Sequence, residues 1–279
     1  MASFEDIFQI TQDNGTQNRP RNNILDTATR RISQNIQDFK TYLTLQSRFP
    51  FLSVSNNLRI MMKNPNATEI GNEKYWRRQG AIVRSSEKHN PIIIKDPAKE
   101  RFNRDGELEQ RFYNSEVYDI SQTDKPIPPK EPVEPAAALS RLIQAFPYHI
   151  EVIDELPKGM LAQYDHENRF IKALVTDPSH FTELYQALSK EIAFAALDTG
   201  EPFDRGQLDF QASCISFMLC QENGVNTDHI KFKKMPEVFK TGTEKEIRDF
   251  LKPMRDTYED TKKRMEQNRG AKKRNYEAR

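Results

Sequence analysis

FPFLSVSNNLRIMMKNPNATEIGNEKYWRRQGAIVRSSEKHNPIIIKDP, residues 49–97, and RFYNSEVYDISQT, residues 111–123, carry the pattern from which the fold of this chain is read. Leu52 to Asn64 reads as a helix, with Ser53 and Ser55 as capping candidates and Pro65 just beyond its end. Asn72 to Gln79 reads as a short helix carrying the only Trp, Trp76, and Gly80 stops it. Ala81 to Arg84, Ile92 to Lys95 and Arg111 to Ile120 read as strands. Residues 97–109 form a charged hairpin or excursion, with Asp105-Gly106 as its turn signal. Helices followed by a run of strands, rather than strict alternation of the two, predict an α+β fold.

Outward from that stretch, apolar residues recur at Leu25, Ala28, Ile32, Ile36, Phe39 and Leu43. Spacings of three and four predict one amphipathic helix over 24–49, limited by Pro50. Residues 1–23 open on Phe4, Ile7, Phe8 and Ile10 and then turn polar, which reads as a flexible arm. On the other side, TDKPIPPKEPVEP holds five prolines in thirteen residues. It marks residues 124–135 as an extended linker. Beyond it come a helix over 136–146, strands over 150–153, 161–165 and 169–175, and amphipathic helices over 179–197 and 206–222. From Thr243 a long charged helix begins, with Thr243 and Glu246 spaced as a capping box. It ends in a basic tail. The expected layout is an arm (1–23), a first domain (24–123), the linker (124–135), a second domain (136–242), and a charged helix with its tail (243–279).

Composition narrows the classes. The 279 residues carry a net charge of only +1, so any basic surface must be local. With 36% apolar and 30% charged residues, and a mean hydropathy of −0.81, a modest core is expected. No apolar run approaches the roughly eighteen residues that a membrane span needs. The acidic start MASFEDIFQI lacks the form of a signal peptide. A cytoplasmic protein without a membrane partner is expected. Cys214 and Cys220, six apart on a predicted helix, point to different faces and read as buried thiols rather than a disulfide.

Local charge is where function becomes legible. Eight Lys/Arg stand against three Glu between Arg59 and Lys95, with Tyr75-Trp76 beside Arg77-Arg78 in the middle. Cations follow a phosphate backbone, and aromatic faces accept unpaired bases. The plain structural reading is equally direct: one helix with its aromatics in the core and its charges in water. Asn56 and Asn57 divide in the same way, between capping or solvent exposure and amides facing nucleic acid. The candidate single-stranded DNA contacts are Asn57, Arg59, Lys63, Tyr75, Trp76, Arg77, Arg78, Arg84 and Lys88. Trp76, Tyr75, Phe49 and Phe51 are the aromatics considered for stacking, with Trp76 leaning towards core and Tyr75 towards the base. Residues 262–274, with seven Lys/Arg and one Glu, read as a soluble tail or a second phosphate contact.

The sequence also resembles the ArdC-type antirestriction proteins of conjugative plasmids. The resemblance rests on Asn57, Asn64-Pro65-Asn66-Ala67-Thr68, Tyr75-Trp76, Gly80, Ser86-Glu87-Lys88 and Val117-Tyr118-Asp119-Ile120-Ser121-Gln122-Thr123. The whole chain is most similar to the LtrC-like proteins of conjugative elements. The resemblance implies single-stranded DNA binding by the first half and a zinc-peptidase-like second half. In that family a helix carries His-Glu-x-x-His, which sets two imidazoles on one helix face to hold a zinc ion, and the next helix adds an acidic ligand.

This chain departs from that pattern. Lys190 and Phe194 stand at the two His positions around Glu191, and Asp209 and Gln211 stand in the acidic motif. An ammonium repels a divalent cation, and a phenyl ring has no lone pair to donate. His89, His149, His166, His180 and His229 are the only histidines, and no two lie four apart. No catalytic residue, metal or cofactor is therefore expected, and the chain reads as a non-enzyme. The expected function is a single-stranded DNA-binding antirestriction or accessory protein of a conjugative element, with conjugation or replication proteins as further partners. The alternative is a protein-interaction scaffold of a DNA transfer or replication complex that does not bind DNA itself.

Overall fold

The computed structural model describes residues 24–97, 101–102, 108–109, 111–127, 133–147, 149–175, 177–200, 202–232 and 234–277. The fold is α+β. The arm over 1–23, the central prolines of the linker and the end of the basic tail lie outside the residues described.

The amphipathic stretch predicted as one helix is two, α1 (Ile24–Gln34) and α2 (Ile36–Arg48). The break falls at Asn35. Its extended backbone starts α2, and its side-chain oxygen accepts from the amides of Gln37 and Asp38. A cap of this kind satisfies two otherwise orphaned donors. The apolar period runs through the break unchanged, so periodicity alone does not show it. Helix α3 (Val54–Lys63) follows, capped by Ser53. Two residues of strand β1 (Ile70–Gly71) and the single-turn-and-a-half helix α4 (Glu73–Arg78), capped by Asn72, lead to β2 (Ile92–Pro97). A short pair, β3 (Arg101–Phe102) and β4 (Leu108–Glu109), separates β2 from β5 (Phe112–Asp119). The stretch 81–84 is not a strand. It makes an isolated bridge, Val83 to Thr123.

The first sheet has the order β1-β5-β2, all antiparallel. Its register sets its two faces, because residues opposite one another share a side. Ile92 pairs with Val117, and Ile94 with Ser115. Ile92, Ile94 and Val117 are buried in the main core. The other face carries the pairs Ile93–Glu116, Lys95–Asn114 and Pro97–Phe112. Strand β2 is an edge, and its backbone at Lys95 is closed by a side chain. Asn56 Nδ2 donates to the Lys95 carbonyl and Asn56 Oδ1 accepts from the Lys95 amide, both at 2.9 Å. Asn56 thus stands in for a neighbouring strand and blunts the open edge.

Beyond the linker stand α5 (Pro135–Ala145), β6 (Ile150–Ile153), β7 (Ala162–Asp165) and β8 (Phe170–Leu174). Strand β8 runs parallel to β6 and antiparallel to β7. Helices α6 (Phe181–Leu197) and α7 (Arg205–Glu222) pack against each other, with α6 also lying on β7. A short α8 (Val238–Thr241) precedes α9 (Glu244–Glu277). The Thr243–Glu246 capping box is present, with Thr243 donating its amide to Glu246 at 2.7 Å.

Among the described residues, the main buried cluster includes side chains on both sides of the linker, from Leu25 to Met265. Phe39 of α2 stacks on Phe210 of α7, with ring centroids 5.6 Å apart, and meets Phe232 and Phe239 edge-on. Helix α9 lies along α1, α3, α5 and α7. Ile247, Leu251, Met254 and Tyr258 are its buried stripe. The Tyr258 hydroxyl donates to the Ser47 carbonyl at 3.0 Å, and Lys262 pairs with Glu222 at 3.0 Å. Each large apolar side chain buried this way contributes about 1.5–3 kcal/mol. The helix read from sequence as charged is therefore a strap over elements from both halves. No helix among the described residues is long and apolar enough to cross a membrane.

Candidate functional site

The first candidate site is the basic stretch around α4. Trp76 has no exposed surface, and its indole Nε1 donates to the Tyr118 carbonyl at 2.9 Å. Together with Ala81, Val83, Tyr118 and Ile120 it forms a small second core on the outer face of the first sheet. Trp76 is therefore an anchor, and the indole face considered for stacking is covered. Asn57 is equally enclosed. Its Nδ2 donates to the carbonyls of Phe49 and Leu52, while its Oδ1 is buried without a hydrogen-bond partner. Its amide is used inside the fold and faces no solvent.

Tyr75 is half-buried. Its hydroxyl donates to Glu69 at 2.7 Å, its ring meets Trp76 edge-on at 5.1 Å, and one ring face covers Gly71. A Cβ at Gly71 would lie 2.0 Å from Tyr75 Cδ1, so only glycine permits this contact. The bond to Glu69, then burial, raise the Tyr75 phenol. Phe49 is partly buried against the main core, and Phe51 is exposed under the Lys263 ammonium.

The cations separate into two groups. Arg59 is partly buried; burial first, and then Arg248 beside it, lower its guanidinium. Lys63, Arg77, Arg78, Arg84 and Lys88 are exposed. Arg77 pairs with Glu73 at 3.2 Å, and Arg84 donates to the carbonyls of Thr123 and Ser121 at 2.8 and 2.6 Å. Lys63 bonds Asn90. Glu87, amid these cations, is held below the usual carboxylate range by Gln122 and Asn90, then by Arg84 and Lys63. Arg78 and Lys88 make no ion pair with any described residue.

The motif residues of residues 64–68 and 117–123 are joints. Asp119 Oδ1 accepts from the amides of Thr68 and Glu69, and its Oδ2 from Ser121. Gln122 closes a capping box on Asp119 and donates to Glu87 and to the Asn90 carbonyl. The basic turn is thereby clamped to the end of β5.

The second candidate site is a cleft of about 680 Å³ between α6 and α7, lined by Lys190, Glu191, Asp209, Ser213 and His229 among others. These include the positions at which the sequence resemblance implies a metal. The side chains do not suit one. Lys190 Nζ sits 2.7 Å from Asp209, so an internal ammonium holds the carboxylate. Glu191 is spent twice: Oε2 accepts the Tyr164 amide at 2.8 Å, and Oε1 pairs with Arg205. Phe194 is buried, with the Arg205 guanidinium 4.1 Å over its ring. Gln211 does not line the cleft; one turn after Asp209 stands Ser213. Among the described residues no three His, Cys, Asp or Glu gather into a metal-ligand group. Sequence reasoning missed His229, which the 223–237 segment brings to the cleft. Burial first, then Lys190 and Lys231, lower its imidazole, against Asn226 and Asp228. No spacing in the sequence signals its approach to α6. Cys214 and Cys220 are buried free thiols, both pushed upward by burial.

No family model and no curated protein matches this chain. Solved structures it is similar to include those of the antirestriction protein ArdC from plasmid R388. The metal-free crystal structure is 16% identical in sequence with a TM-score of 0.49, over 88% of this chain and 96% of that one. The Mn(II)-bound structure is 16% identical with a TM-score of 0.43, over 75% and 82%.

Proposed function

We propose that this chain is a single-stranded DNA-binding accessory protein of the antirestriction type, belonging to a conjugative element, whose second half has a peptidase-like layout without peptidase chemistry. One observation carries the reading. Around the Trp76 core the carboxylates are already engaged, Glu69 by Tyr75, Glu73 by Arg77 and Glu87 by Gln122 and Asn90. Arg78 and Lys88 are exposed and make no ion pair with any described residue, and Arg84 and Lys63 are exposed as well. Exposed cations that outnumber the carboxylates around them suit a flexible polyanion, and its affinity falls as salt rises.

The scaffold reading has its own support, since burial of Trp76 removes the indole as a base contact. Fluorescence anisotropy on single-stranded DNA, duplex DNA and RNA of matched length, across a salt series, separates the two. Tighter binding to the single strand is expected. The Arg78→Ala change should flatten the salt slope by roughly 0.7. Binding of none of the three favours the scaffold, whereas equal binding of duplex and single strand overturns the single-strand preference.

A further inference from the structure

The outer face of the first sheet is covered at one end and open at the other. Tyr118 lies beneath Trp76 and Tyr75. From there along β5 the same face carries Glu116, Asn114 and Phe112, opposite Ile93, Lys95 and Pro97 of β2. Ile93, Pro97, Phe112, Asn114 and Glu116 are all exposed. Ile93 is 39% exposed and Phe112 55% exposed, although both belong to regular paired strands. A phenyl ring this open, at the end of a strand whose other end is core, is not explained by packing. Tyr113 is as exposed, but alternation turns it to the opposite face.

Charge and shape together select an occupant. Lys95 stands between Ile93 and Pro97 on this face. At the covered end, the Tyr118 hydroxyl donates to the Lys88 carbonyl at 3.1 Å, which sets the Lys88 and Arg84 turn at the border of the open rows. On this face Glu116 is the one carboxylate of the paired rows, and Glu73 acts on Tyr118 at the covered end. A duplex presents phosphates outside and buries its bases. A single strand presents both, and rows with a ring at one end and cations about 20 Å away at the other, on a strand rising about 3.4 Å per residue, suit that combination.

We propose that this open face, with Phe112 as the stacking ring and Lys95 beside it, is the base platform for single-stranded DNA, with backbone contacts at Arg84 and Lys88 at the other end of the rows. The proposal rests on the single-stranded DNA reading above. It moves the stacking role from Tyr75 and Trp76 to a residue on β5. Glu116 weakens the platform by repelling phosphates, so its removal should help.

The test uses the full chain and a fluorescein-labelled oligodeoxythymidylate. Phe112→Ala should weaken binding about fivefold to a hundredfold with the salt slope unchanged. Phe112→Trp should keep affinity, and Glu116→Gln should raise it. Thermal melting of each variant checks the fold, which an exposed ring scarcely supports. If the unaltered chain binds the oligonucleotide and Phe112→Ala binds it equally well, the platform is wrong while DNA binding stands. A Phe112→Ala variant that loses affinity together with salt slope also overturns it, because the ring would then be acting through the cations. No binding by the unaltered chain overturns both readings.

Discussion

The two halves of the molecule treat their motif residues in opposite ways. In the first half the residues that mark the sequence, Asn57, Trp76, Asp119 and Gln122, are present and buried, and they serve as joints. The exposed cations between them are what remains for a partner. In the second half the marked positions meet one another. Lys190, Phe194 and Arg205 fill the site with internal ion pairs and a cation–π contact. The difference teaches that residues which stand out in a sequence can do so as architecture, and that a cleft can be filled by its own ion pairs. In neither half does the motif residue itself mark the surface that meets a partner.

The comparison breaks first at Trp76. If it is a joint, Trp76→Ala should destabilise the fold by about 3–5 kcal/mol, as other large buried aromatic truncations do. The lost hydrogen bond to the Tyr118 carbonyl adds to the cavity. Denaturant unfolding measures the loss, and single-stranded DNA should leave the tryptophan fluorescence of the intact protein nearly unquenched. A stable Trp76→Ala variant together with a strong quench would return the indole to the binding surface.

Glu191 sharpens the other side. Its side chain is 7% exposed and holds both Arg205 and the Tyr164 amide. Glu191→Ala should cost roughly 2–3 kcal/mol, because it strands a donor and leaves a cation without its partner. Glu191→Gln, which can still accept from Tyr164, should cost less. Lys190→Met should cost under about 1 kcal/mol, since the Lys190–Asp209 pair is more than a third exposed on both sides. Melting curves of the three variants give the order directly. An equal loss from Lys190→Met and Glu191→Ala would mean that the cleft depends on its rim pair.

Sequence showed the elements better than their surroundings. The helices from α3 to α7 and strands β2, β5, β6, β7 and β8 follow from periodicity and capping residues. The break at Asn35 was written in the sequence as an Asn followed three residues later by Asp38, but the unbroken apolar period hid it. The pairing of Asn56 with Lys95 joins residues 39 apart in sequence, and no local signal carries such a contact. The strap formed by α9 was hidden for the same reason: its apolar stripe was visible, but not what it covers. For the proposed site, local charge picks out Arg78, Arg84 and Lys88, which the structure leaves exposed. Alternation placed Phe112 on a strand without telling where the covered part of that strand ends. Nothing marked His229.

The smallest expected effect is also the most direct test of the second half. Restoring the imidazoles with Lys190→His and Phe194→His should still give no tight zinc site. Glu191 is held by Arg205 and Tyr164, and the Arg205 guanidinium lies over the ring at position 194, where its charge opposes a cation. Ser213 faces the cleft one turn after Asp209, so no second carboxylate from α7 completes the set, and a closed structural site needs four ligands. Adding zinc should therefore shift the melting temperature of the double variant little, and elemental analysis should find well under one zinc per chain. A large zinc-dependent rise would mean that Arg205 swings away readily and that the ion pairs only rest in the site. Adding Arg205→Ala to the double variant distinguishes the cases, because freeing Glu191 should raise zinc affinity only if Arg205 is the obstacle.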